Sequence, residues 1–381
     1  MPNPRSLYVH VPFCVRRCSY CDFAVQAVRD PPVDAWLDAV GGEIALLAAE
    51  RGWSEPLILD TLYVGGGTPS LLGVGAMAAL AERLQPHARW DPAAVEWTCE
   101  ANPESFTPDL ARDWRAAGVN RISLGVQTFH EPSLRWMGRL HGPDGPARAM
   151  DAAREAGFES VSVDLIFALP HRLGRHWATD LDRALALAPE HVSLYGLTAE
   201  PGTPLGRWVE EGREHLADDD RYADEYLLAH ERLRAAGFHH YEVSNFALPG
   251  HASRHNSVYW TGAPYAALGP GAHAFYPPLR RWNMRSWDAY IEAVAAARLP
   301  VEGEESVGPE EVALERVWLR LRTEGGYPLG ESTAAQCETA AEWVRFGWAR
   351  TDDDRLRLTA EGWLLLDRLA LEWSSGIAAA S

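Results

Sequence analysis

The chain contains no lysine: all 35 of its basic residues are arginine. So one-sided a choice reflects compositional bias, and any single arginine therefore says less about bidentate anion binding than it would in a chain using both cations. Acidic residues outnumber the arginines, 53 against 35, for a formal net charge of −18. A surface this negative repels phosphate backbones, which excludes general nucleic-acid binding. No apolar run reaches the length of a transmembrane segment, although peripheral membrane contact stays open. Cysteine is scarce as well, at five in 381 residues. Three of those five fall in one short stretch.

That stretch, Cys14-Val-Arg-Arg-Cys18-Ser-Tyr-Cys21, directly follows the apolar run Leu7-Tyr8-Val9-His10-Val11-Pro12-Phe13. Structural zinc takes four ligands from separated pairs, and no second Cys or Cys/His pair follows at such a spacing. Three thiolates suit a 4Fe-4S cluster better, since each can hold one iron and the fourth iron stays open to a small molecule. The alternative is three buried, reduced cysteines with no ligand, but buried cysteines are ordinarily scattered singly. Clustered thiols of this kind call for a reducing compartment, because oxidation would pair the ligands with one another. The cysteines begin within fourteen residues of the start, which leaves no room for an export signal, and the expectation is a cytoplasmic protein.

Length and a 47% hydrophobic share predict a globular chain with one large and one smaller domain. Strand-like runs are expected at 6–13, 58–66, 94–101, 121–128, 160–168, 191–198 and 239–246, with amphipathic helical stretches between them. The phrases ending in Gly118, Gly157 and Gly237 each close a helix and lead into a strand. They recur at a period near forty residues, or twice that, which is what one βα unit of a barrel occupies. The fold class is therefore α/β, a partial (β/α)6-type barrel over 1–247. Residues 248–304, rich in Gly, Pro and aromatics, read as a connecting segment of loops. Residues 305–381, with two helices, a hairpin through Asp352-Asp353-Asp354 and a last helix over 360–373, read as a small winged-helix-like α+β domain. Its second helix is acidic rather than basic, so it points to a protein contact and not to DNA.

In such a barrel, active residues stand at the C-terminal ends of the strands, and the cysteine loop follows strand 1. Strand 2 ends in Gly65-Gly66-Gly67-Thr68-Pro69, which either makes a tight turn or lets a ligand approach exposed backbone N–H groups. Glu100, Gln127 and Asp164 sit at or near the ends of later strands, each flanked by apolar residues. Each either bonds backbone or water, or joins the others around one ligand. Cys99 and Cys337 stand apart from the cluster and read as small core residues.

The C-x3-C-x2-C spacing, with Tyr20 before the last cysteine and Tyr8 six residues before the first, resembles the radical S-adenosylmethionine (SAM) superfamily. The phrase Tyr8-Val-His-Val-Pro-Phe-Cys14 is similar to the branch that holds the oxygen-independent coproporphyrinogen III oxidase and the HemW-type heme chaperones. The resemblance implies cluster ligation by Cys14, Cys18 and Cys21. It further implies SAM contacts at Tyr8, Tyr20, Gly66, Gly67, Thr68, Glu100, Gln127, Arg139 and Asp164. SAM on the open iron would be split by one electron, with the protein orienting it and excluding water.

Within the branch, Cys21-Asp22-Phe23 departs from the oxidase pattern, which adds a cysteine two residues after the third; no oxidase-like N-terminal extension precedes the cluster either. Both departures resemble the chaperone group, as does His255-Asn256-Ser-Val-Tyr259-Trp260, which reproduces its HNxxYW motif. Around it, residues 243–287 hold no acidic residue, four arginines and eight large aromatics. That composition suits a flat macrocycle with two propionates, with His255 as candidate iron ligand and Tyr259 beside it. The other reading is that the segment covers the end of the barrel and His255 is a packing residue. What the resemblance implies is a heme chaperone that binds a 4Fe-4S cluster, SAM and heme and hands heme to apo-proteins, with a homodimer left open. The competing functions are coproporphyrinogen III decarboxylation and SAM sensing without radical chemistry.

Overall fold

In a computed structural model of the chain, which describes residues 3–378, six parallel strands form the centre of the molecule. They are β1 (Ser6–Val11), β2 (Thr61–Gly66), β3 (Glu96–Ala101), β4 (Arg121–Gln127), β5 (Val161–Phe167) and β6 (His191–Gly196). Two short strands, β7 (His239–Glu242) and β8 (Asn245–Ala247), close one edge antiparallel. A ninth, β9 (Ala266–Leu268), pairs parallel with β1 at the other edge. The order is β7-β8-β6-β5-β4-β3-β2-β1-β9, so each crossover from β1 to β6 steps one strand along, in the manner of an open (β/α) barrel.

The strands obey a strict two-residue alternation. Leu7, Val9, Val11, Leu62, Val64, Trp97, Ile122, Leu124, Val163, Leu165 and Val192 are fully buried under the flanking helices. The intervening positions, among them His10, Thr61, Tyr63, Glu100, Ser123, Asp164 and Ser193, carry polar atoms. Register then places them side by side: Glu100 opposite Ser123, Gly125 opposite Asp164 and Asp164 opposite Ser193. A barrel interior this polar is not filled as a core, so the strand pattern itself builds a site.

The helices form for local reasons. In Pro108–Ala117, Thr107 caps the N-terminus by accepting from the Leu110 N–H, Pro108 takes the first turn, and Gly118 at φ 107° ends it. Trp36, Trp97 and Trp114, each fully shielded, anchor helices to the outer face. Each buries about 150–250 Å², worth about 4–6 kcal/mol at 25 cal/mol per Å².

Residues 248–304 differ from the expected loops. They contain the helix Arg254–Thr261, strand β9, the hairpin His273–Tyr276 with Leu279–Asn283, the helix Trp287–Ala295 and most of the strand Val301–Ser306, which crosses the expected boundary. The reason is length: Ala266-Ala-Leu268 is a three-residue strand against the barrel edge, too short to leave a periodic signal. Beyond Pro309, the helices Pro309–Leu321 and Ala334–Arg345 pack with a three-stranded sheet ordered Tyr327–Pro328, Arg355–Leu358, Ala349–Asp352. The expected last helix breaks into Ala360–Trp363 and Leu366–Ala378, with the Trp363 indole N–H donating to the Leu321 carbonyl at 2.9 Å. Cys99 is buried, as a core residue should be, whereas Cys337 is exposed.

Candidate functional site

One cavity of about 350 Å³ opens at the C-terminal ends of the strands, within the range of small-molecule sites. Cys14, Cys18, Tyr20, Cys21, Gly66, Gly67, Thr68, Glu100, Gln127, Arg139 and Asp164 all line it. The loop carrying the thiols is tied down from several sides. Phe13–Cys14 pairs with Gln26–Ala27, the Ser19 N–H donates to the Met137 carbonyl at 3.2 Å, and the Leu205 N–H donates to the Ser19 carbonyl at 2.8 Å.

Burial pushes the Cys14 thiol up to about 11, against the Thr68 hydroxyl that lowers it; Cys21 and Cys18 raise it further. Burial likewise raises Cys21. Thiols held this way in the protonated form bind metal only if the metal displaces their protons. The Thr68 hydroxyl donates to Cys14 Sγ at 3.3 Å, and Arg139 Nη1 approaches Cys18 Sγ at 3.9 Å, contacts suited to anionic sulfur. Among the described residues, no three His, Cys, Asp or Glu side chains converge on a single ion. The three cysteines line one cavity together, which suits a cluster that takes one thiolate per iron, and the donor set fits that group.

The glycines provide space rather than free donors. The Gly66 N–H donates to Glu100 Oε2 at 2.9 Å and the Gly67 N–H to the Val11 carbonyl at 2.7 Å, so neither is left over for a carboxylate. A Cβ on Gly67 would lie 2.6 Å from the Phe13 carbonyl oxygen. One on Gly66, at φ 104°, would lie 2.3 Å from the His10 ring. Glu100 also accepts from the Tyr63 hydroxyl at 2.7 Å, and burial pushes its carboxyl up to about 7. Asp164 accepts from Ser123 and Ser162, while burial raises it. Gln127 stands in the left-handed region at φ 66°, at a bulge in β4, which re-aims its side chain at the cavity.

Asn102, outside the residues expected from sequence, is central: its Nδ2 donates to Thr68 Oγ1 at 3.1 Å and its Oδ1 accepts from Arg139 Nη2 at 2.6 Å. Its signal was the same two-residue step that places Glu100. Ser123 and Tyr195 line the cavity by that step too.

Two of the expected site residues stand apart from this cavity. Tyr8 does not line the cavity; its hydroxyl lies 3.0 Å from His10 Nδ1, deeper in the barrel. His255, at 1% exposure, is not accessible to a macrocycle. Its Nδ1 lies 2.8 Å from Thr61 Oγ1 and its Nε2 2.9 Å from the Tyr259 hydroxyl, so both ring nitrogens are engaged. The carboxylate of Glu96 accepts from the N–H groups of Arg254 and His255, fixing the helix Arg254–Thr261 across the N-terminal ends of the strands. The HNxxYW segment is a plug on the barrel floor. Of the four arginines of 243–287, Arg280 pairs with Glu305 and Glu315 and Arg281 with Glu50 and Glu304, Arg285 donates to the Asp22 carbonyl, and Arg254 donates to the Ala94 carbonyl at the barrel floor.

The family model of the radical SAM superfamily matches residues 8–184. The chain is 40% identical over 371 residues to the heme chaperone HemW of Mycobacterium tuberculosis, covering 96% of this chain and 94% of that protein. It is 35% identical over 322 residues to the heme chaperone HemW of Bacillus subtilis, with 84% of each covered. Among solved structures, coproporphyrinogen III oxidase from Escherichia coli, described as a radical SAM enzyme, superposes with a TM-score of 0.79 at 21% identity. That superposition covers 98% of this chain and 90% of the other. At that identity the likeness establishes the shared fold.

Proposed function

The chain belongs to the heme chaperone HemW family of the radical SAM superfamily, and from that premise we propose that it carries heme to acceptor proteins in the cytoplasm. The single observation behind the site assignment is convergence: three cysteines and a ring of polar strand-end residues line one cavity. Cys14, Cys18 and Cys21 would hold a 4Fe-4S cluster. Gly66, Gly67, Thr68, Glu100, Gln127, Arg139 and Asp164 would surround SAM. Bound there, the cluster would supply a single electron to SAM.

The chain's own residues have definable tasks. Arg139 bridges Asn102 to the Gly125 carbonyl and so ties β3 to β4 beside Cys18. Glu100 braces the glycine turn through the Gly66 N–H. Tyr20 and Tyr195 form apolar wall, and among the described residues no helix is long and apolar enough to cross a membrane.

The test is transfer. Protein reconstituted with iron, sulfide and heme is incubated with a heme-free acceptor such as an apo-cytochrome, and the acceptor's spectrum is followed. Heme should appear on the acceptor unchanged. Conversion of coproporphyrinogen III to protoporphyrinogen, with SAM cleaved in step, would replace this reading with the oxidase.

A further inference from the structure

An arginine side chain only donates hydrogen bonds, and at Arg139 that property sets the direction of a chain that ends on the cysteine loop. Its Nη2 donates to the Gly125 carbonyl at 2.5 Å and to Asn102 Oδ1 at 2.6 Å. With the amide oxygen turned to the guanidinium, the amide nitrogen must face the other way, and Nδ2 donates to Thr68 Oγ1 at 3.1 Å. Thr68 is buried at 3% exposure, and its oxygen accepts from Asn102, so its hydrogen must go to a different atom. The acceptor it meets among the described residues is Cys14 Sγ, at 3.3 Å.

The backbone holds this arrangement in place. The Asn102 N–H donates to Ser70 Oγ at 3.1 Å, and Ser105 Oγ donates to the Asn102 carbonyl at 3.3 Å. A flipped amide would set its nitrogen against the guanidinium, donor against donor. It would also turn an acceptor to Thr68 and draw the hydroxyl hydrogen off the sulfur. The same guanidinium sends Nη1 toward Cys18 Sγ at 3.9 Å, so one arginine and one asparagine govern what two of the three thiols face.

Hydrogen bonds to sulfur are among the levers that set the potential of an iron-sulfur cluster. The reduced form carries one more negative charge and gains more from a donor than the oxidised form does. A bond to a ligating thiolate therefore raises the potential and eases uptake of the electron.

We propose that Asn102 is a positioning residue that aims the Thr68 hydroxyl at the Cys14 thiolate and so raises the reduction potential of the cluster. The proposal rests on the cluster reading of the three cysteines. The competing role, a brace that only stiffens the cavity wall, predicts lost stability with the potential unmoved.

The experiment poises the cluster-loaded full chain, without SAM, against dithionite and redox dyes. The reduced cluster is read by electron paramagnetic resonance in wild type, Thr68→Val, Asn102→Asp and the double variant, and iron and sulfide analysis checks that each keeps its cluster. Thr68→Val deletes the donor, and the ratio of reduced to oxidised cluster at a fixed potential should fall about tenfold, a shift of about 59 mV for one electron. Asn102→Asp presents an acceptor on both sides, so it draws the Thr68 hydrogen away from sulfur and adds a charge as well. In the Thr68→Val background only the charge acts, and the effect of Asn102→Asp should be about tenfold smaller there than with Thr68 present. Equal effects in the two backgrounds, or an unchanged potential in Thr68→Val, overturn the proposal and leave the cluster site intact. A second measurement needs no variant: in deuterated water, electron-nuclear double resonance on wild type should find an exchangeable deuteron coupled to the reduced cluster. Its absence overturns the proposal even where a variant has lost its iron. A wild type that takes up no cluster overturns the site reading as well.

Discussion

His255 Nε2 lies 2.9 Å from the hydroxyl of Tyr259, one helical turn along, while its Nδ1 is joined to Thr61 at the foot of the barrel. The ring also packs against Tyr63 at 5.1 Å between centroids, and Tyr63 in turn donates to Glu100. The motif thus closes the barrel floor and supports the residue that braces the SAM-facing turn.

Removing that plug should cost stability before anything else. His255→Ala leaves a cavity and two buried hydroxyls without partners, and is expected to lower unfolding free energy by about 3 kcal/mol. Thr61→Val, which deletes one hydrogen bond, should lose about 1 kcal/mol. Denaturant unfolding of the two variants measures both. A fully stable His255→Ala that has lost heme would restore His255 as ligand.

The cluster assignment predicts metal content. Anaerobically reconstituted protein should hold about four irons and four sulfides per chain. Ala at Cys14, Cys18 or Cys21 should abolish a stable cluster. Cys337→Ala, at an exposed position, should change nothing. Full iron and sulfide in a triple Cys14/Cys18/Cys21 variant would exclude these residues as ligands.

Glu100 uses one oxygen on the Tyr63 hydroxyl and the other on the Gly66 N–H. In Glu100→Gln the amide nitrogen must face one of two donors, so the turn loses a brace. SAM affinity should fall by about tenfold, or about 1.4 kcal/mol, with Tyr63→Phe showing a smaller loss. Equilibrium dialysis of labelled SAM on the cluster-loaded protein decides it; equal affinity in Glu100→Gln would remove Glu100 from the site.

Much of this was legible in the chain because it is written in short periods. The strands β1 to β6 announce themselves by buried Val, Ile and Leu, and the same alternation carries Glu100 and Asp164 to the inner face. The cysteine loop is local, so its spacing is readable, whereas Gly66-Gly67 read as a turn or a ligand cradle until the family resemblance is added. What stayed hidden depends on long-range partners. The acid-free stretch 243–287 suggested free arginines, but Glu304 and Glu305 reach Arg281 and Arg280 from the next strand, and Glu50 comes from more than two hundred residues away.

A last prediction concerns Glu43, which sits in the helix Val33–Arg51 with 2% exposure. It accepts from the Gly269 N–H at 2.8 Å, the Tyr290 hydroxyl at 2.6 Å and Asn283 Nδ2 at 2.5 Å. Those donors come from just past β9, from the helix Trp287–Ala295 and from the hairpin, so one carboxyl fastens the barrel's outer edge. They favour its charged form, yet burial outweighs them and pushes the group up to about 7 from 4.5. A carboxyl whose folded value is raised binds its proton more tightly in the folded state. Its contribution to stability is therefore complete below about 4.5 and is lost as pH rises through about 7. The loss is roughly 3 kcal/mol, from two and a half units at about 1.4 kcal/mol each. Unfolding of the cluster-free protein at about pH 5 and about pH 8 should show wild type losing that much more than Glu43→Gln between the two conditions. An identical pH response in both proteins would mean that the three donors hold Glu43 ionised throughout, and that burial does not dominate there.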